Sequence, residues 1–287
     1  MKYFNAIILL FTLLLSSCVK NNPDPSWLEI TEWTLTENQN VEEGELSHSF
    51  KDVYVYVDDK IVGIFELPVK LPLLLEGKHK VTLYPVIRIN GISGAKTIYP
   101  FCKPLIVDVN LEKNKTTPIN ATTSYLDNTT FWIEDFENST FKIDDSNPNS
   151  TGDLSKKNDP NILKFGNFYG DIAITSVDSV WFGKTTPALN LPKGAAEIYL
   201  EIDYMNTNTL LTGVYALSST SIIDNPHIQL NAQDASDLKW KKIYIELKEI
   251  VSASTAASSF EQYFKAILDE GLSEGHIYID NIKIVHF

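Results

Sequence analysis

The sequence predicts an all-β chain of two β-sandwich domains behind a cleaved amino-terminal signal. Three observations carry this prediction. Met1-Lys2 leads into the apolar run 7–15, too short to remain as a membrane-spanning helix of about 20 residues. From Trp27 onward, short segments with apolar residues at every second position recur between polar turns, which is the period of a strand. The chain has 287 residues, and the roughly 270 left after the signal correspond to two domains of ordinary size, each able to bury its own core.

The apolar run ends in Leu15-Ser16-Ser17-Cys18, where small residues stand directly before a cysteine. This resembles the lipobox of bacterial lipoproteins. The resemblance implies that residues 1–17 are removed by signal peptidase II and that the Cys18 sulfur takes a diacylglyceryl group. An ordinary signal peptide with a chance cysteine is the alternative. Each buried CH2 contributes about 0.8 kcal/mol, so two or more acyl chains anchor stably. Residues 18–26 are polar with two prolines and read as a tether.

With 24 basic and 37 acidic side chains the formal net charge is -13, and it becomes -14 when Lys2 leaves with the signal. Nucleic acid is excluded as a partner. Broad adhesion to anionic headgroups is disfavoured too, which leaves the lipid as the membrane contact. Of the two cysteines, Cys102 has no partner in the chain once Cys18 is acylated. It sits beside Tyr99-Pro100-Phe101 with no nearby histidine, so an inert, partly buried thiol is expected.

Residues 27–127 form the first predicted domain, with strand-like runs at 28–35, 53–57, 61–65, 80–89 and 105–111. Val53-Tyr54-Val55-Tyr56-Val57, then Asp58-Asp59-Lys60, then Ile61-Val62-Gly63-Ile64-Phe65 reads as a β-hairpin. Val55 to Gly63, followed by Leu67-Pro68 and by Gly77-Lys78-His79-Lys80-Val81, resembles a PEGA-type domain. That resemblance implies a surface spacer or binding module without catalysis.

The polar stretch and turn cluster within 113–130 place the domain boundary near Asp127. The second domain, 128–287, opens with Phe131-Trp132-Ile133-Glu134-Asp135-Phe136-Glu137 and closes with His276-Ile277-Tyr278-Ile279-Asp280-Asn281-Ile282-Lys283-Ile284. Ile198, Leu200, Ile202 and Tyr204 alternate with acids, and many strands in about 155 residues point to antiparallel sheets packed as a jelly roll. Ile277 and Ile279 share one parity while Ile282 and Ile284 share the other. An extra residue near Asp280-Asn281 would turn all four inward, so a β-bulge is predicted there. Residues 258–268 fit a helix or a strand, and a strand is preferred by analogy with the fold.

The opening E-D-F-E, the Trp240-Lys241-Lys242-Ile243-Tyr244-Ile245-Glu246-Leu247 run and the closing strand together resemble the galactose-binding-like jelly rolls of many carbohydrate-binding modules. That resemblance implies a glycan ligand. It also implies a structural calcium held by Glu134, Asp135, Glu137 and Asp280, whose hard oxygens suit the ion. The alternative is that these acids are solvated strand and bulge residues.

No catalytic signature is present. His48, His79, His227, His276 and His286 show no H-E-x-x-H or paired ligand spacing, and there is no G-x-S-x-G elbow, P-loop or Rossmann fingerprint. The chain is therefore expected not to be an enzyme. A glycosidase, which needs only two suitably separated carboxylates, is the remaining catalytic alternative.

Sugar recognition uses exposed aromatic faces. Trp181 and Phe182 are consecutive in a predicted strand, so one of them points away from the core, and Trp181 is the preferred sugar-stacking residue. Tyr169 and Tyr204 are expected to line the same face, and Trp240 is assigned to the core. The functional expectation is a Bacteroidota-type outer-membrane lipoprotein whose distal jelly roll binds glycan. Its rival is an accessory lipoprotein docking on another envelope protein. Val19-Lys20-Asn21-Asn22 precede the lone Asp24, so the acidic stretch associated with surface export is not seen, and the membrane face stays open.

Overall fold

The computed structural model describes residues 24–287. The signal segment, Cys18 and the tether up to residue 23 lie outside the described residues. The first half runs through β1 (Ser26–Ile30), β2 (Thr34–Leu35), β3 (Asp52–Val57), β4 (Lys60–Glu66), β5 (Val69–Leu73), β6 (Gly77–Arg88), β7 (Lys96–Ile98), β8 (Leu105–Leu111), β9 (Thr116–Ile119) and β10 (Thr122–Thr123). The second half runs through β11 (Thr130–Glu134), β12 (Ile143–Asp144), β13 (Asp153–Lys157), β14 (Tyr169–Thr175), β15 (Val180–Thr185), β16 (Ile198–Asn206), β17 (Leu210–Leu217), β18 (Ile222–Leu230), β19 (Lys241–Glu246), β20 (Ser259–Ile267) and β21 (Glu274–His286). One short helix, α1 (Lys248–Ala253), lies between β19 and β20. Residues 258–268 are thus largely strand.

In the first half, β3 and β4 form the hairpin expected from the sequence. Asp58 and Asp59 take φ of 50° and 61° at its turn, the left-handed pair that matches the twist of the strands and that aspartate tolerates. The sheet runs β4-β3-β6-β7 with β8 also on β6, and β5-β1-β9 makes a second sheet. Leu28, Ile30, Val53, Val55, Val81 and Leu83 are fully buried in the shared core.

The second half is a jelly-roll sandwich. One sheet runs β13-β14-β21-β16-β19 with β11 on β21, and the other runs β12-β15-β20-β17-β18. Every pairing in the two sheets is antiparallel. The core between them takes Ile198, Leu200 and Ile202 from β16 and Ile277, Ile279, Ile282 and Ile284 from β21. The parity switch is resolved by a bulge: Lys283 opposes Glu201 and Asp280 opposes Asp203, so three steps on β21 meet two on β16. Asn281, within the bulge, takes a left-handed φ of 49°.

Much of the outward side of the six-stranded sheet, along β16, β19 and the end of β21, does not meet solvent. Tyr199, Tyr244 and Val285 join the first half's core beside Tyr99, Phe101 and Tyr125. Glu201 is fully buried there, accepting hydrogen bonds from the Tyr99 hydroxyl and, at 3.1 Å, from the Tyr125 hydroxyl, and pairing with Lys242 Nζ at 2.8 Å. Asp203 accepts from Ser47 Oγ and from Asn281 Nδ2 at 3.0 Å, while Lys283 Nζ donates to the Glu45 carbonyl at 2.7 Å. Buried charges persist only when paired and hydrogen-bonded in this way. Backbone bonds join the halves too: Asn90 N–H donates to the Tyr244 carbonyl at 2.8 Å. Cys102 is free and buried in the same region, and burial pushes its thiol well above the ordinary range, so it stays protonated and inert.

Candidate functional site

Strand alternation on β15 decides which aromatic faces outward. Trp181, Gly183 and Thr185 point into the sandwich, whereas Phe182 and Lys184 stand on the outer face of the five-stranded sheet. Trp181 is fully buried, which corrects the expectation that it stacks on sugar. The residue two positions on makes that burial feasible: a Cβ at Gly183 would lie 2.5 Å from the Trp181 ring, so only glycine leaves the indole its space.

Phe182 belongs to a cleft of about 470 Å³ on that outer face. In register, Lys184 opposes Tyr263 of β20, and Tyr263 opposes Gly213 of β17. The Tyr263 ring lies flat over Gly213, where a Cβ would meet it at 2.3 Å. Phe182 stacks on it at 5.7 Å and 21°, and Tyr215 tilts against it at 4.6 Å and 32°. Tyr263 is buried to 2% exposure beneath this pair, and burial together with the neighbouring Asp224 raises its hydroxyl pKa well above the ordinary tyrosine range.

Polar groups rim the rings. Lys184 Nζ pairs with Glu261 at 2.9 Å on one flank. Beyond it, Asp144 accepts from Ser146 N–H at 3.1 Å and Oγ at 2.6 Å, which holds the loop carrying Asn147 and Pro148 at the cleft edge. The hydrogen bonds from Ser146 keep the Asp144 carboxyl below its usual range. Ile222 closes the opposite side. No His or Cys lines this cleft, and of its two carboxylates Glu261 is engaged by Lys184 and Asp144 by Ser146. The arrangement suits binding: apolar ring faces flanked by hydrogen-bonding side chains.

The other two aromatics singled out from the sequence lie on the opposite sheet, so they do not share a face with Phe182. Tyr169, on β14, is 2% exposed, and burial, with Asp171 and Asp159 nearby, pushes its hydroxyl up to about 12. Tyr204, on β16, is partly buried and packs against the sandwich core. Trp240 is corrected in the other direction. It precedes β19, lies outside the core and stays partly exposed, with Nε1 donating to the Ile162 carbonyl at 2.7 Å.

Glu134 and Glu137, two of the acids expected to hold calcium, are engaged by backbone donors. Glu134 is buried with its two oxygens taken by the backbone N–H groups of Phe136 and Lys142. Glu137 accepts from Asn167 N–H at 2.6 Å and Phe168 N–H at 2.9 Å, and these bonds, against the upward pull of burial, hold its carboxyl below the usual range. Asp280 Oδ1 accepts from Asn281 N–H at 2.7 Å, and Oδ2 has no partner. Burial, with Asp203, Asp135 and Glu137 nearby, pushes this carboxyl up to about 8. Among the described residues no group of three or more His, Cys, Asp or Glu is placed to hold a metal ion. Glu134 and Glu137 brace loops through these bonds.

No protein-family model matches the chain, and no curated protein matches it in sequence. Similar solved structures include the enzymatically active domain of bacteriophage CBA120 tailspike protein 4, 16% identical with a TM-score of 0.36 over 53% of this chain and 20% of that one. The chain thus spans about a fifth of that protein's length. The CBM22-2 xylan-binding domain of Paenibacillus barcinonensis Xyn10C is 15% identical, with a TM-score of 0.38 over 54% of this chain and 99% of that one. A carbohydrate-binding module of the β-sandwich superfamily is 16% identical, with a TM-score of 0.39 over 80% and 83%. Likeness at this level concerns fold and names no ligand for this chain.

Sequence reasoning missed Tyr215, Tyr263, Lys184 and Glu261. A signal for two of them was present. In β20, Phe260, Gln262, Phe264 and Ala266 are buried in one parity while Glu261, Tyr263 and Lys265 take the other, but the helix-compatible spacing of Phe260, Phe264, Ile267 and Leu268 obscured it.

Proposed function

We propose that this chain is a non-catalytic carbohydrate-binding protein whose ligand lies across Phe182 and Tyr215 on the jelly roll's outer face. One observation carries the reading. Two aromatic rings are braced on a third and rimmed by Lys184, Glu261, Asp144 and Asn147, which pairs an apolar floor for the C–H face of a pyranose with partners for its hydroxyls. The fold neighbours include a xylan-binding domain, but the reading rests on this surface. A glycan-array screen followed by calorimetry tests it. Phe182→Ala should weaken binding by about 1–3 kcal/mol, the range of a hot-spot aromatic, with an unchanged thermal midpoint. Undiminished binding by that variant would remove the site.

The same proposal places the protein at the outer membrane by acylation of Cys18, on the strength of Ser16-Ser17-Cys18 after the apolar run. Cys18→Ala should abolish incorporation of a labelled fatty-acid analogue, because no other residue supplies the thioether. Persistent labelling of that variant refutes the anchor.

A further inference from the structure

A larger cleft, of about 800 Å³, opens where segment 47–51 and Arg88 of the first half meet β19 and the loop carrying Lys164. Its charge opposes that of the protein. In a chain of net charge -13, this cleft is lined by Lys51, Arg88, Lys164, Lys239, Lys241 and Lys242, with Asp203 as its single acid. Three of the cations are already matched: Arg88 by Asp52 at 2.8 Å, Lys239 by Asp237 at 2.7 Å and Lys242 by Glu201 at 2.8 Å. Lys51, Lys164 and Lys241 are exposed and have no ion pair among the described residues. They come from three separate segments, so the folded structure, not local sequence, gathers them.

The cleft also has an aromatic wall. Trp240 is held by its bond to the Ile162 carbonyl, with Phe165 at 6.5 Å and 70° to it. Rings so inclined offer no parallel pair to sandwich a planar base, but a single indole face suits the apolar side of a sugar. The lining is concave, as a small ligand requires and a membrane surface does not. His48, at the cleft, has its pKa lowered by burial and by Lys242 and Lys51, in keeping with a positive local field.

We propose that this cleft is a second binding site, for an anionic saccharide whose ring packs on Trp240 and whose carboxylate or sulfate lies between Lys51, Lys164 and Lys241. The site does not depend on the Phe182 cleft, since the two lie on opposite sheets.

Calorimetry of the full chain with trigalacturonate, with its methyl ester and with a sulfated trisaccharide tests the proposal. At least one anionic probe should bind, more weakly as salt rises, and the neutral ester should not. The double variant Lys164→Gln/Lys241→Gln, which removes exposed and unpaired charges, should weaken that binding at least tenfold with an unchanged thermal midpoint, while Phe182→Ala should leave it intact. Failure of both anionic probes overturns the proposal. So does equal affinity for the ester, undiminished affinity in the double variant, or tighter binding of a nucleoside triphosphate than of either sugar. If Phe182→Ala alone abolishes the binding, the anion belongs to the other cleft and this site is refuted.

Discussion

Trp181 and Phe182 are neighbours in the chain on opposite sides of a sheet. Alternation requires that one of them face outward but does not by itself say which. Gly183 decides the matter by leaving room for an indole that any side chain would displace. Trp181→Ala should therefore cost about 3–5 kcal/mol of stability, the range for truncating a large buried aromatic. Denaturant titration reads this as a lower midpoint, and a midpoint within error of the parent's would mean the indole is not in the core. Tyr263 was illegible for a related reason. Its role depends on Gly213, fifty residues earlier, on whose backbone its ring rests.

Strand β21 shows how much a single element disclosed. The parity break between Ile279 and Ile282 was enough to place the bulge, since four isoleucines must enter one core. What the bulge does to its own polar residues is not visible in the sequence: Asp280 Oδ2 is buried without a hydrogen-bond partner, and burial raises this carboxyl's pKa. An unfolded aspartate ionises near 4, whereas Asp280 in the folded chain does so at about 8. Between those values the folded state holds a proton that the unfolded state has released, so this group's penalty grows as pH rises through the window and is full above it. Asp280→Asn retains an oxygen for the Asn281 N–H and carries no charge. Its advantage over the parent should be nil near pH 3 and reach on the order of 5 kcal/mol at pH 9. Thermal melts across that range check it, and a difference independent of pH would contradict the protonated state.

For the whole molecule, composition and the turn cluster near Asp127 pointed to two consecutive sandwiches, and two sets of sheets are present. Their union was hidden because Glu201, Lys242 and Lys283 read as the solvated side of amphipathic strands, while in the structure the first half covers them. Glu201→Gln leaves Lys242 buried without its closest counter-charge, at a cost of about 3–5 kcal/mol. Calorimetry should show one cooperative transition for the full chain, lowered by roughly 10 °C in the variant. Two transitions, with only one of them moved, would mean that the halves fold separately. The covered sheet also sets the path of mechanical load. Tension between the halves is shared among the packed rings and paired charges before the single connector through Asp127 is drawn taut. Prying them apart means bringing carboxylates, ammonium groups and tyrosines into water together, so the protein should yield to force abruptly, as a joint and not as a hinge.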